Sequence, residues 1–146
     1  TASGKNSAAF NQYATASGNS ATAIGFHSTA SGSLSFASGQ RTTAAGTASA
    51  VFGEYNTASH RDQIVMGKYA AADPSSAAAT AVGEYALIVG NGTDGNPSNA
   101  LTLDWEGNIV CNNIPAPPTT NGSYVLVCDV NNGTATYSWE HRITPN

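Results

Sequence analysis

Gly90, Gly92 and Gly95 stand at the G-x-G-x-x-G spacing of a dinucleotide-binding turn, directly after the strand-like run 85–89. That chemistry requires a helix to open at the last glycine, with its N-terminus on the pyrophosphate. Asn96-Pro97 and a further strand pattern follow instead, so the segment reads as a polar loop with turn glycines. The same loop offers Asn91, Asp94 and Asn96 as oxygen ligands, but a calcium site wants six or more oxygens and several carboxylates. His27, His60 and His141 have no ligand-type spacing. The serines lack a Gly-x-Ser-x-Gly elbow. We therefore expect no enzyme, no catalytic residue, no cofactor and no metal centre. Cys111 and Cys128 allow either one bridge or two free thiols, and two free thiols are the preferred reading. Asn91, Asn121 and Asn132 begin Asn-Gly-Thr or Asn-Gly-Ser triplets, which read as Asn-Gly turns before they read as glycan acceptors.

One set of side chains stands out as recognition chemistry. Tyr13, His27, Arg41, Tyr55 and Tyr69 recur fourteen residues apart, with Phe26 beside His27 and with Gln12, Gln40, Glu54 and Lys68 in the neighbouring column. If each recurrence is one coil of a stack, neighbouring members lie about 4.8 Å apart and form a continuous strip. Exposed aromatics interleaved with polar groups suit contact with a glycan or a protein receptor. The plainer reading is that corner rings cover the coil edges.

The elements that would position this strip follow from the repeat. Residues 1–70 contain one fourteen-residue unit five times in unbroken phase. Thr1, Thr15, Thr29, Thr43 and Thr57 share a column; Gly4, Gly18, Gly32 and Gly46 share another, which His60 breaks. Gly25, Gly39, Gly53 and Gly67 form a second glycine column, with Asn11 in first place. Fixed-period self-similarity of this kind marks a stacked repeat architecture. Each half-unit alternates with period two and ends at a turn glycine, giving two short strands and two corners per coil. The expected fold class is all-β: a parallel β-solenoid with fourteen residues per coil, followed by β-hairpins.

The two halves differ on their outward faces. The first half presents Thr15/Ser17, Thr29/Ser31, Thr43/Ala45 and Thr57/Ser59, which suit water. The second presents Phe10, Ile24, Phe36, Phe52, Ile64 and Met66, an apolar ridge along one side. The inward residues are mostly Ser, Thr and Ala, so each coil buries little apolar surface at roughly 25 cal/mol per Å². Backbone ordering costs about 1–2 kcal/mol per residue against it. A stack this thin is expected to cover its ridge, and identical chains are the simplest partner.

NSATAIGFHSTASG, ASAVFGEYNTASH and QIVMGKYAAAD resemble the head repeats of trimeric autotransporter adhesins (YadA-like heads), over residues 1 to about 90. The resemblance implies a left-handed parallel β-roll and a homotrimer in which the six ridge residues form the interface. The same repeats are similar to segments of phage and prophage tail-fibre proteins. After residue 90 the pattern departs from an autotransporter head, since no heptad stalk follows. PAPPTTNGSYVLVCDVNNGTATYSWE is loosely similar to terminal β-structure of prophage tail proteins. The expected function is a non-enzymatic trimeric fibre or adhesion module, foremost a phage or prophage tail fibre that attaches to a host receptor. A bacterial surface adhesin head is the alternative, and an ice-binding solenoid using the Thr/Ser face a more distant one. The corresponding location is a virion tail fibre or the extracellular cell surface.

Composition fits these expectations. Five Lys and Arg in 146 residues and a net charge of −4 disfavour a nucleic-acid partner. Apolar residues in fixed phase at 10% charged content argue against disorder. No run is long enough to insert in a membrane as a helix. The chain opens at the first position of a repeat without an initiator Met, which we read as a fragment of a longer protein. Two domains are expected: repeats over 1–90, and a C-terminal hairpin region over 91–146. Ala70, Ala72 and Pro74 form an expected half-coil, followed by a two-residue insertion; Ala79, Ala81, Gly83 and then Ala86, Ile88, Gly90 restore the pattern. In the C-terminal region a hairpin turns at Glu106-Gly107-Asn108, a Pro-rich connector spans 114–120, and a second hairpin places Tyr124, Leu126 and Cys128 opposite a stripe of Ala135, Tyr137 and Trp139.

Overall fold

The computed structural model describes residues 1–112, 124–131 and 134–141. Every regular element there is a strand, and none is a helix. In chain order they are β1 (Ala8–Phe10), β2 (Thr15–Ala16), β3 (Thr22–Ile24), β4 (Thr29–Ala30), β5 (Phe36–Gln40), β6 (Thr43–Ala44), β7 (Ala50–Glu54), β8 (Thr57–Ala58) and β9 (Ile64–Lys68), then β10 (Tyr85–Asn91), β11 (Asn99–Asp104), β12 (Ile109–Cys111), β13 (Tyr124–Asn131) and β14 (Thr134–His141). The first nine alternate between two parallel sheets and make a β-solenoid of about four turns.

The narrow sheet runs β2-β4-β6-β8, with Thr15 opposite Thr29, Thr29 opposite Thr43 and Thr43 opposite Thr57. The wide sheet runs β1-β3-β5-β7-β9-β10-β11-β12. Its first six strands are parallel, and β11 and β12 add on as an antiparallel hairpin. That hairpin turns at residues 105–108, as expected. It joins the solenoid's own sheet, so the compact unit is Thr1–Cys111 and continues past the expected boundary at residue 90.

Alternation along each strand decides what is buried. The inward column of the wide sheet is Ala9, Ala23, Ala37, Val51, Val65 and Ile88, all but Ala9 essentially fully buried. Ala16, Ala30, Ala44 and Ala58 face them from the narrow sheet. The core therefore thickens from Ala to Val to Ile towards the C-terminal end. Burying a Val or Ile contributes about 1.5–3 kcal/mol, and an Ala much less.

Backbone ladders hold the thin end. Corner amides donate to the preceding coil: Ser20 to Lys5, Leu34 to Asn19, His27 to Gln12, Arg41 to Phe26. A polar column runs beside the core. Ser28 Oγ lies 2.9 Å from both the Ile24 and Gly39 carbonyls, although its one proton serves only one at a time. Asn56 satisfies the equivalent pair fully: Nδ2 donates to Phe52 and Gly67, and Oδ1 accepts from the Ala70 amide. Thr42, between them, leaves its hydroxyl without a partner.

The glycine columns exist because coils touch there. A Cβ on Gly18 would stand 2.0 Å from the Gly32 carbonyl oxygen, and one on Gly32 2.0 Å from that of Gly46. His60 ends this column, and the residue packed on its ring is again a glycine: a Cβ on Gly83 would stand 2.7 Å from His60 Nδ1. Residues 69–84 hold no strand, so Ala70, Ala72 and Pro74 do not form the expected half-coil. The Asp73 carboxylate organises this stretch in place of a strand ladder. The second compact unit, Asn112–Asn146, contains the antiparallel pair β13–β14, with Leu126 opposite Trp139 and Cys128 opposite Tyr137 in backbone register. The Pro-rich connector and the Asn121 and Asn132 triplets lie outside the described residues, as do the side chains of Tyr124, Leu126, Cys128, Ala135, Tyr137, Trp139 and His141.

Candidate recognition surfaces

The column Tyr13, His27, Arg41, Tyr55, Tyr69 sits at the corner after the wide sheet, and all five residues adopt left-handed backbone angles, φ 44° to 60°. Their side chains project side by side. Tyr13 stacks on His27 at 4.6 Å between centroids, and Tyr55 on Tyr69 at 4.6 Å with a 10° tilt. Phe26 packs edge-on against both Tyr13 and His27. The Arg41 guanidinium carbon lies 5.5 Å from the centre of the Tyr55 ring. The strip is thus two aromatic doublets with a cation between them. Tyr13 is 62% exposed, and Phe26, His27, Arg41 and Tyr55 are exposed. The Tyr69 hydroxyl is pushed above its ordinary value by desolvation first, then by Tyr55, Glu54 and Asp94.

The opposite corner supplies an internal comparison. Asn6, Ser20, Leu34, Ala48 and Asp62 hold the same left-handed conformation, φ 53° to 60°. Asn and Asp enter that region at low cost, whereas bulky residues rarely do. Apart from Leu34, one corner therefore turns with small or polar residues, and the other turns with rings and a guanidinium. Turn geometry alone does not require aromatics.

The second surface is the outer face of the wide sheet. Phe10 is 60% exposed and Phe52 42%, while Ile24, Ile64 and Met66 are also exposed and Phe36 is half-buried. Phe36 and Phe52 rings approach to 5.5 Å. Register carries the face further than the six expected residues. Ile64 lies opposite Leu87, Leu87 opposite Leu103 and Leu103 opposite Ile109; Met66 lies opposite Val89, and Val89 opposite Leu101. These flank the core-facing Ile88 and Thr102 and so point outward. The expected ridge ended at Met66 although Ala86, Ile88 and Gly90 already placed β10 in the pattern; the alternation in YALIV and ALTLD was the available signal for the rest.

A third cluster escaped the sequence altogether. The Asp73 side chain is 1% exposed and accepts from the amides of Ser75 (2.9 Å), Glu84 (3.1 Å) and Tyr85 (2.9 Å) and from Gln63 Nε2 (2.7 Å). Gln63 also donates to the Tyr85 carbonyl and accepts from the Ser59 amide. His60 Nδ1, buried and without a hydrogen bond, lies 3.8 Å from Asp73 Oδ2. This buried clasp holds the 69–84 excursion onto the last coil. Burial alone would raise the Asp73 carboxyl, but the amides of Tyr85, Ser75 and Glu84, and then His60, outweigh it and hold it below 3.8. Its stabilising contribution is therefore complete above the ordinary carboxylate range and is lost as pH falls through the depressed folded value. Asp73→Asn presents an NH₂ to donors and is expected to cost about 2 kcal/mol near neutral pH. The denaturant midpoints of variant and parent should converge as pH falls below 3.8, whereas a gap unchanged by acid would contradict this role.

The other candidate residues stay apart. Gly92 donates its amide to the Lys68 carbonyl, and Asn91 Oδ1 accepts from Ser98 Oγ, so the Gly90–Gly95 loop serves the joint between β10 and β11. His27 and His60 lie in different clusters. Among the described residues no three His, Cys, Asp or Glu side chains gather as a metal site. Cys111 is a free, half-buried thiol. No described helix is long and apolar enough to cross a membrane. Comparison with protein-family models, with curated proteins and with solved structures finds no match to this chain.

Proposed function

We propose that this chain is a non-enzymatic fibre or adhesion module that works as a homotrimer, and that its setting is a phage or prophage tail fibre. In this reading each coil takes fourteen residues, the solenoid winds left-handed, and three copies pack their wide sheets around a common axis. The observation that carries it is the apolar outer face. Seven strand spacings of about 4.8 Å make a band roughly 34 Å long. Thr22 and Ser38 interrupt its first coils, but single chains in water rarely leave so much apolar surface on one side uncovered. A trimer would cover the face, stiffen a core that is mostly alanine at one end, and leave the narrow Thr/Ser sheet and the aromatic corner outward. Presenting the strip three times lets weak single contacts add up by avidity. Host attachment through that strip is the corresponding mechanism, with a glycan or protein receptor.

The direct test is solution mass by light scattering. We expect three times the chain mass of 14.8 kDa. A monodisperse, well-folded single chain would remove the basis for the proposal.

A further inference from the structure

We infer that the corner strip takes an anionic saccharide, with the sugar's carboxylate or sulfate group on the Arg41 guanidinium. The inference rests on reading this corner as the receptor-contacting surface and adds what that receptor must carry.

Ring faces are the usual platform for a neutral sugar, but here several of them are taken up within the strip, both faces of Tyr55 among them. Tyr13 and His27 cover one another, as do Tyr55 and Tyr69. The face of Tyr55 turned away from Tyr69 lies under Arg41. Beside the outer face of Tyr13, the strip offers solvent ring edges, phenolic hydroxyls and a cation. These are hydrogen-bonding groups arranged along a line, with one positive charge at its centre.

Arg41 is held but not neutralised. Its amide donates to the Phe26 carbonyl, and its guanidinium rests over Tyr55. Among the described residues Arg61 and Asp62 form an ion pair and His60 approaches Asp73 at 3.8 Å, while no carboxylate comes within ion-pair distance of Arg41. The nearest acidic column member, Glu54, lies opposite Lys68 in register. A guanidinium positioned by an aromatic face keeps its planar fork of donors available, which matches a carboxylate or sulfate in two-point contact. The comparison with the other corner adds weight: the same turn is built there from Asn6, Ser20, Leu34, Ala48 and Asp62, so neither the rings nor the guanidinium is a demand of the fold. The net charge of −4 opposes an anion at long range, so recognition must be local to Arg41.

The test is calorimetric titration of the full chain with tetragalacturonate, a sulfated tetrasaccharide and neutral maltotetraose. At least one acidic probe should bind about tenfold or more tightly than the neutral one. Which of the two does so identifies the anion. Arg41→Gln should remove about tenfold of that affinity, Arg41→Lys should retain part of it, and Leu34→Ala at the opposite corner should leave it unchanged. Three results would overturn the inference: no binding of either acidic probe, equal binding of maltotetraose, or full affinity in Arg41→Gln. Competition by acetate or sulfate alone as effective as that of the saccharide would overturn it too, by reducing the site to a simple ion contact. Light scattering on the same samples separates the two readings. A trimer that ignores acidic saccharides defeats this inference alone, and a monomer that binds them defeats only the trimeric fibre.

Discussion

Replacing Ile24, Phe52 and Met66 together with Glu is expected to turn the proposed assembly of three times 14.8 kDa into monomers or aggregates, read by light scattering. All three side chains are already exposed in the single chain. Exposed substitutions usually change a chain's own stability within about 0.5 kcal/mol, so the coils themselves should tolerate the change. In a packed trimer the same substitution places three carboxylates per chain, nine in all, in a shared apolar interface. Unpaired buried charge costs several kcal/mol per ion, far more than such an interface can absorb. A matched variant with Ser17, Ser31 and Thr57 changed to Glu, on the narrow sheet, should keep the parent mass. If the ridge variant keeps its mass as well, the outer face is not the axis, whatever the oligomeric state.

The second large effect is expected from a single methyl group. Gly39→Ala should cost more than about 4 kcal/mol and abolish the cooperative unfolding of the solenoid, followed by circular dichroism at matched protein concentration. Gly107→Ala should cost only about 1 kcal/mol. Both glycines have positive φ, +130° and +90°, so the backbone penalty is common to the pair. They differ in what a Cβ would meet. At Gly39 it would stand 1.9 Å from the Gly53 carbonyl oxygen, inside the next coil, whereas at Gly107 nothing lies within 4 Å. The obstacle at Gly39 is backbone, and moving it means opening the ladder that joins β5 to β7. Similar small losses in the two variants would show that coil contact is not what the glycine column protects.

Much of the architecture was legible because it is written in a repeat. A fixed phase places Thr15 opposite Thr29 and Ala23 opposite Ala37 without knowledge of the rest of the chain, since each coil can pair only with its neighbours. Phe10, Ile24 and Phe52 were legible as outward-facing for the same reason: strand alternation is local. Asn11 was legible only as the first member of a glycine column, and it sits there at φ 88°. Where the repeat ends, this legibility fades. Ala86, Ile88 and Gly90 were still legible as a half-coil, and β10 does pair with β9, Ile88 opposite Val65 and Gly90 opposite Gly67. Nothing in ALTLDWEGNIV states that its strands extend the solenoid sheet instead of folding with the second hairpin, because hairpin docking is chosen by which sheet edge is free.

What the sequence by itself determined is therefore everything governed by short-range periodicity: strands, corners, the side on which apolar residues fall, and the column that gathers rings and Arg41. Tertiary structure decided the rest, because it depends on groups far apart in the chain meeting in space. Gln63, Asp73 and Tyr85 close the last coil through hydrogen bonds that no spacing announces. The strip's rings stack in pairs and one carries Arg41 over its free face, which changes the ligand it suits. The apolar face grows from five strands to eight because β10 to β12 continue β9, and the docking of the β11–β12 hairpin there becomes visible only once the sheet is assembled.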